Sequence, residues 1–110
     1  MSDRNPEIAP CDAAQRSRAT MLIDVREHDE WTAGHAPDAI HIPLGTLTAA
    51  SIPRDVEVMC VCRSGGRSSA ATTILREAGL NAVNVTGGMA GWSAAGLPIV
   101  REDGQPGRVT

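Results

Sequence analysis

One stretch of this 110-residue chain concentrates the groups that can do chemistry, Cys62-Arg63-Ser64-Gly65-Gly66-Arg67-Ser68. It follows an apolar run at residues 56–61 and leads into a helical pattern that opens at Ser68. A loop with two glycines can turn its backbone N–H groups inward around an anion. A helix start adds unpaired N–H groups and the positive end of its dipole. A thiol held in such a potential shifts toward thiolate, which is its nucleophilic form. Arg63 and Arg67 bring fixed guanidinium donors suited to an oxyanion. The expected chemistry is attack by the Cys62 sulfur, with Arg63, Ser64, Gly65, Gly66, Arg67 and Ser68 holding the anionic substrate.

Taken alone, Cys62 reads as a small apolar residue closing a strand, and the glycines as a turn. The coincidence of a strand-end thiol, Gly-Gly, two Arg and a helix start outweighs that reading. A nucleotide P-loop is excluded, because the run lacks its Lys and its glycine spacing. Cys60 and Cys62 with His28, His35 and His41 show no zinc spacing, so no metal is expected. Cys60 belongs to the apolar strand, Cys11 has no reactive context, and a bond between Cys60 and Cys62 is sterically awkward.

The rest of the composition bounds what surrounds this loop. The length suits one domain, with a core from about residue 8 to 100 and loose ends at 1–5 and 103–110. Apolar residues make up 42%, yet Phe and Tyr are absent, so the core is aliphatic apart from Trp31 and Trp92. A net charge of −3 argues against a nucleic-acid or anionic-membrane surface. No signal-like or membrane-length apolar run appears, so a cytoplasmic address is expected. Three cysteines, an odd number, argue against a disulfide scaffold.

Short Val- and Ile-rich runs at residues 21–25, 40–42, 56–61 and 83–85 read as buried strands. Between them, Ala71, Ile74, Leu75 and Ala78 follow helical spacing over residues 68–78, with Gly79 placed as a C-cap. A second clear helix spans residues 89–95 and is closed by Gly96 and Pro98. Weaker helices are expected at 11–18 and 27–33. Alternation of strands and helices predicts an α/β layer fold with a mainly parallel sheet, whose ligands gather beyond the carboxyl ends of strands.

Four ordered motifs then carry a resemblance over about residues 8–100. They are Leu22-Ile23-Asp24-Val25-Arg26-Glu27, the run from Gly34-His35-Ala36-Pro37 through Ile42-Pro43, the Cys62 loop, and Gly87-Gly88-Met89-Ala90-Gly91-Trp92. The chain resembles the single-domain rhodaneses. That resemblance implies a rhodanese-like three-layer α/β fold, a central sheet flanked by helices. It implies that Cys62 takes a sulfane sulfur from thiosulfate or a related donor as a persulfide and passes it to cyanide or a thiol. The loop N–H groups from Arg63 to Ser68 then hold the persulfide, and no organic cofactor is required. A protein donor or acceptor in a persulfide relay, and a thiol redox switch, use the same loop. Related phosphatases and arsenate reductases have a loop one residue longer. Arg67 lies five positions after Cys62, the shorter, sulfur-type spacing. Asp24 and Arg26 are read as supporting residues that pair with each other's neighbours. His35 is read as fixing its own connection, and Trp92 with Gly87-Gly88 as the lead-in and packing face of the last helix.

Overall fold

Strands that stay apolar on both sides of the pleat need a sheet covered on both faces. The computed structural model, which describes residues 5–17 and 19–110, is built in that way. Its strands are β1 (Glu7–Ile8), β2 (Thr20–Asp24), β3 (Ile40–His41), β4 (Glu57–Val61) and β5 (Asn81–Val85). Its helices are α1 (Pro10–Ala14), α2 (His28–Ala33), α3 (Gly66–Glu77) and α4 (Gly88–Ala94). Two short 3-10 turns, Leu44–Thr46 and Ala49–Ser51, join β3 to β4. The strand order is β1-β5-β4-β2-β3, and every pairing is parallel. This is the expected α/β fold, with the sheet wholly rather than mainly parallel.

The two-residue period of the strands splits the core into two layers. Ile23, Val25, Val58, Cys60 and Cys62 pack with Ala71 and Leu75 of α3. Leu22, Met59, Val61 and Val85 pack with Ala13 of α1 and with Met89 and Trp92 of α4. β4 is central, flanked by β5 and β2, so the loop that leaves its carboxyl end at Cys62 is surrounded on both sides.

Several boundaries differ from the sequence expectation. α1 stops at Ala14 instead of running to residue 18, because the Arg16 guanidinium donates to the Ala13 carbonyl and to Pro37 O at 3.3 and 3.1 Å. Arg18 lies outside the described residues. α3 begins at Gly66, two residues early, because Gly65 takes φ +118° and serves as its N-cap. β1 was not expected; two residues between prolines carry no periodicity, and the strand exists only by pairing with Asn84 and Val85.

The ends are not loose where they are described. Asn5 donates to Ser69 O at 2.8 Å and to the Thr73 hydroxyl at 3.0 Å, and residues 1–4 lie outside the described residues. The tail is pinned by Gly107 N–H to Ile99 O at 2.9 Å and Arg108 N–H to Ala33 O at 3.0 Å. Its Gly and Pro content hides these contacts, since they depend on backbone groups alone.

Asp24 and Arg26 pair directly with each other and not merely with each other's neighbours. Both are fully buried; Arg26 Nε and Nη2 donate to the Asp24 carboxylate at 2.9 and 2.8 Å, and Nη2 also reaches Gly34 O at 2.7 Å. The remaining guanidinium nitrogen, Nη1, has no partner among the described residues. His35 anchors the neighbouring connection as expected, with Nδ1 at 2.9 Å from Trp31 O. Its backbone also exchanges hydrogen bonds with Val100, and its ring stacks on Trp31 at 3.5 Å. Removing one member of a buried ion pair leaves the other charge stranded, at a cost of about 3–5 kcal/mol. Asp24→Ala is therefore expected to lower the urea unfolding free energy by that amount, whereas Asp103→Ala, at the exposed Arg101 pair, changes it by less than about 1 kcal/mol.

Candidate active site

The site is assembled where β4 ends and α3 begins. The first N–H groups of a helix have no intrahelical partner. Here Gly65, with no side chain and a positive φ, bends the chain so that those groups surround Cys62. Gly65 N–H donates to Cys62 Sγ at 3.1 Å, and the Ser68 hydroxyl lies 3.2 Å from the same sulfur. Cys62 itself is only 1% exposed.

Burial alone raises a thiol pKa, because it penalises the charged form. For Cys62 that penalty is the largest single influence, yet hydrogen bonds from the Ser68 hydroxyl and from the Ser68, Gly65 and Ser64 N–H groups together outweigh it. The net result is a thiol below its ordinary range. Cys60, two residues earlier on the same face of β4, shows the contrast. Burial pushes its thiol up to about 11, a hydrogen bond from Thr72 offsets part of this, and the Cys62 charge adds to it. Two buried thiols are thus shifted in opposite directions because only one meets the helix start. Cys11 is exposed and remote from the loop's hydrogen bonds.

Asn84 on β5 supports the loop and was not anticipated. Its Oδ1 lies 2.6 Å from the Ser68 hydroxyl and its Nδ2 donates to Gly65 O at 3.2 Å. The Ser68 hydroxyl has one hydrogen and three acceptors within reach, Asn84 Oδ1, Cys62 Sγ and Gly65 O. Ionisation of Cys62 makes the sulfur a stronger acceptor and draws that hydrogen toward it. A polar Asn in the run Asn81-Ala82-Val83-Asn84-Val85, at a position that strand alternation buries, was the available signal.

α4 closes the other side. Met89 N–H donates to Cys62 O at 2.7 Å and Ala90 N–H to Arg63 O at 2.9 Å. A Cβ on Gly88 would stand 2.6 Å from Arg63 O and closer still to Cys62 O, so only glycine admits this approach. The Gly87-Gly88 pair therefore positions the loop as well as starting the helix.

The two arginines are placed differently from the expectation of an open anion clamp. Arg63 is exposed and its Nε donates to the backbone oxygen of Thr110 at 2.7 Å. Arg67 Nη1 and Nη2 donate to Glu30 Oε1 and Oε2 at 2.7 and 2.9 Å. Glu30 also accepts the Glu27 N–H at 3.0 Å, as the far member of a capping box on α2. The hydrogen bond from Arg67 is the main reason its carboxyl is depressed to about 2; burial opposes this. Ser64 and Gly66 are exposed at the loop's outer surface.

Replacing the Ser68 hydroxyl removes a donor to the sulfur while leaving the burial penalty in place. In Ser68→Ala the midpoint of Cys62 alkylation by iodoacetamide, followed against pH, is expected to move upward, and the rate at pH 7 to fall severalfold. An unchanged midpoint would show that the N–H groups alone set the thiol's acidity.

The chain is 38% identical over 87 residues to a protein of Allochromatium vinosum named sulfurtransferase, covering 76% of this chain and 81% of that one. It is 33% identical over 91 residues to a chloroplastic protein of Arabidopsis thaliana named thiosulfate sulfurtransferase 16, covering 69% of this chain and 76% of that one. Its fold is similar to the crystal structure of a rhodanese-related protein from Thermoplasma volcanium, with a TM-score of 0.83, 34% identity, and coverage of 88% of this chain and 99% of that one. The rhodanese-like domain model matches residues 10–95, and with it the Cys62 loop and the elements that surround it, so the chain belongs to the rhodanese-like domain family.

Proposed function

We infer that the protein is a sulfurtransferase in which Cys62 carries the sulfur. The observation that carries this reading is the set of N–H and hydroxyl donors converging on the Cys62 sulfur, which lowers its pKa despite burial. The sulfurtransferase names of two relatives support the reaction class.

With thiosulfate as donor, the Cys62 thiolate attacks the outer sulfur. A bond forms from Sγ to that sulfur, the sulfur–sulfur bond of thiosulfate breaks, and sulfite leaves with the electron pair. The resulting Cys62 persulfide anion places its terminal sulfur within the loop from Arg63 to Ser68, whose Ser64, Gly65 and Ser68 N–H groups favour the thiolate. Cyanide or a thiolate then attacks the terminal sulfur and restores the Cys62 thiolate. The steps need neither a general base, because the nucleophile is already ionised, nor an organic cofactor. Asp24, Arg26 and His35 act by holding the structure behind the loop. A thiolate that must stay reduced between turnovers suits the cytoplasm.

Intact-mass spectrometry after thiosulfate treatment, without reductant, tests the assignment. The wild-type protein is expected to gain the mass of one sulfur atom, and cyanide to remove it. Cys62→Ser is expected to gain none, while Cys60→Ser retains the gain if it folds. A gain that survives in Cys62→Ser would move the sulfur to another residue.

A further inference from the structure

The ion pair between α2 and the loop bears on which sulfur donor the site accepts, and this inference rests on the sulfurtransferase reading above. A guanidinium clamps an anion most strongly when no carboxylate already matches its charge and its bidentate fork. Both terminal nitrogens of Arg67 are already on Glu30, one on each carboxylate oxygen. The carboxylate is itself fixed, because Oε1 also accepts the Glu27 N–H at the start of α2. With side chains 16% exposed for Glu30 and 37% for Arg67, this is a fixed contact and not a loose surface pair. The pair between Arg101 and Asp103 has a single contact at 3.2 Å, and its side chains are 47% and 59% exposed. Arg63, the other basic group of the loop, is turned outward to the Thr110 backbone oxygen.

We propose that Glu30 is a donor-specificity residue, withholding Arg67 from dianionic donors so that the loop favours the singly charged or neutral sulfane sulfur of an organic persulfide over thiosulfate. The Arg67 and Glu30 charges cancel beside the loop. A thiosulfate dianion must therefore pull Arg67 from its bidentate partner or share it, through the N–H groups that Glu30 leaves free, with its charge already matched. A persulfide, R–S–SH, needs only the N–H groups and the Ser68 hydroxyl around its terminal sulfur. The exposed Ser64 and Gly66 place no bulky side chain over the outer face of the loop, where the R group lies.

The transfer balances without a further reactant. The Cys62 thiolate bonds to the terminal sulfur of R–S–SH and the donor sulfur–sulfur bond breaks. RS⁻ leaves with the electron pair, and the proton stays on the transferred sulfur. Because Arg67 depresses the Glu30 carboxyl to about 2, the pair stays charged at neutral pH.

The test compares kcat/KM for thiosulfate with kcat/KM for glutathione persulfide, using the whole chain. Glu30→Gln keeps a side chain that can serve the capping box while removing the charge. The ratio of thiosulfate to persulfide kcat/KM is expected to rise about tenfold, the worth of one freed charge-assisted hydrogen bond. The rise is expected to vanish in the double variant Glu30→Gln, Arg67→Gln. An equal change on both donors, leaving the ratio where it was, reduces the pair to a structural staple and overturns the proposal, as does a fall in the ratio. If Glu30→Gln does not fold, Glu30→Asp takes its place: its shorter reach breaks the bidentate contact, and a flat ratio there also overturns the proposal. Failure of the wild-type protein to place sulfur on Cys62 from either donor removes the sulfurtransferase reading itself, and the proposal with it.

Discussion

A sulfur anion has to be held in a place that water scarcely reaches. Cys62 is almost wholly buried, and burial by itself favours the neutral thiol, as Cys60 demonstrates two residues away. The charge is carried instead by dipoles that cannot reorganise away from it. These are the N–H groups at the start of α3 and a hydroxyl one helical turn inside it. Much of the remaining structure can be understood as what keeps those donors aimed at one atom.

The parallel sheet does this by placing β4 between β5 and β2. β5 contributes Asn84, which holds Ser68 and Gly65 from one side. α4 follows β5 and grips the first two carbonyls of the loop through Met89 and Ala90. On the other side, β2 leads into the buried Asp24 and Arg26 pair, which binds Gly34 and so fixes the connection after α2. The same α2 then presents Glu30 to Arg67. Each neighbouring strand thus sends its own carboxyl-end connection to one part of the loop, which is the usual benefit of a site at the carboxyl edge of a parallel sheet.

The basic residues shape this site less simply than their number implies. A loop with two arginines reads as strongly positive, yet one charge is cancelled by Glu30 and the other is directed to the chain's last residue. The groups that favour charge at the sulfur are the Ser68 hydroxyl first and then the Ser68, Gly65 and Ser64 N–H groups, and not the two arginines. The groups that favour charge on the thiol, the helix start and Ser68, are thus distinct from the ion pair at the rim.

The Cys62 loop, the two main helices and four of the five strands were legible in the sequence, because each rests on local rules. Apolar runs mark buried strands, helical spacing marks α3, and Gly-Gly with a following helix marks an anion cradle. Asp24, Arg26 and His35 were read as supports, without the buried pair that the first two form. Contacts between distant segments were not legible. Glu30 with Arg67, Asn84 with Ser68, Gly88 against the Cys62 carbonyl, and the pinned tail all join residues that local periodicity leaves unconnected. Local chemistry by itself determined which atom could react and what would stabilise its charge. Only the tertiary structure decided which of the charges around it are free to meet a substrate, because an ion pair across 37 positions is fixed by how α2 and α3 pack around the end of β4 and not by either segment alone.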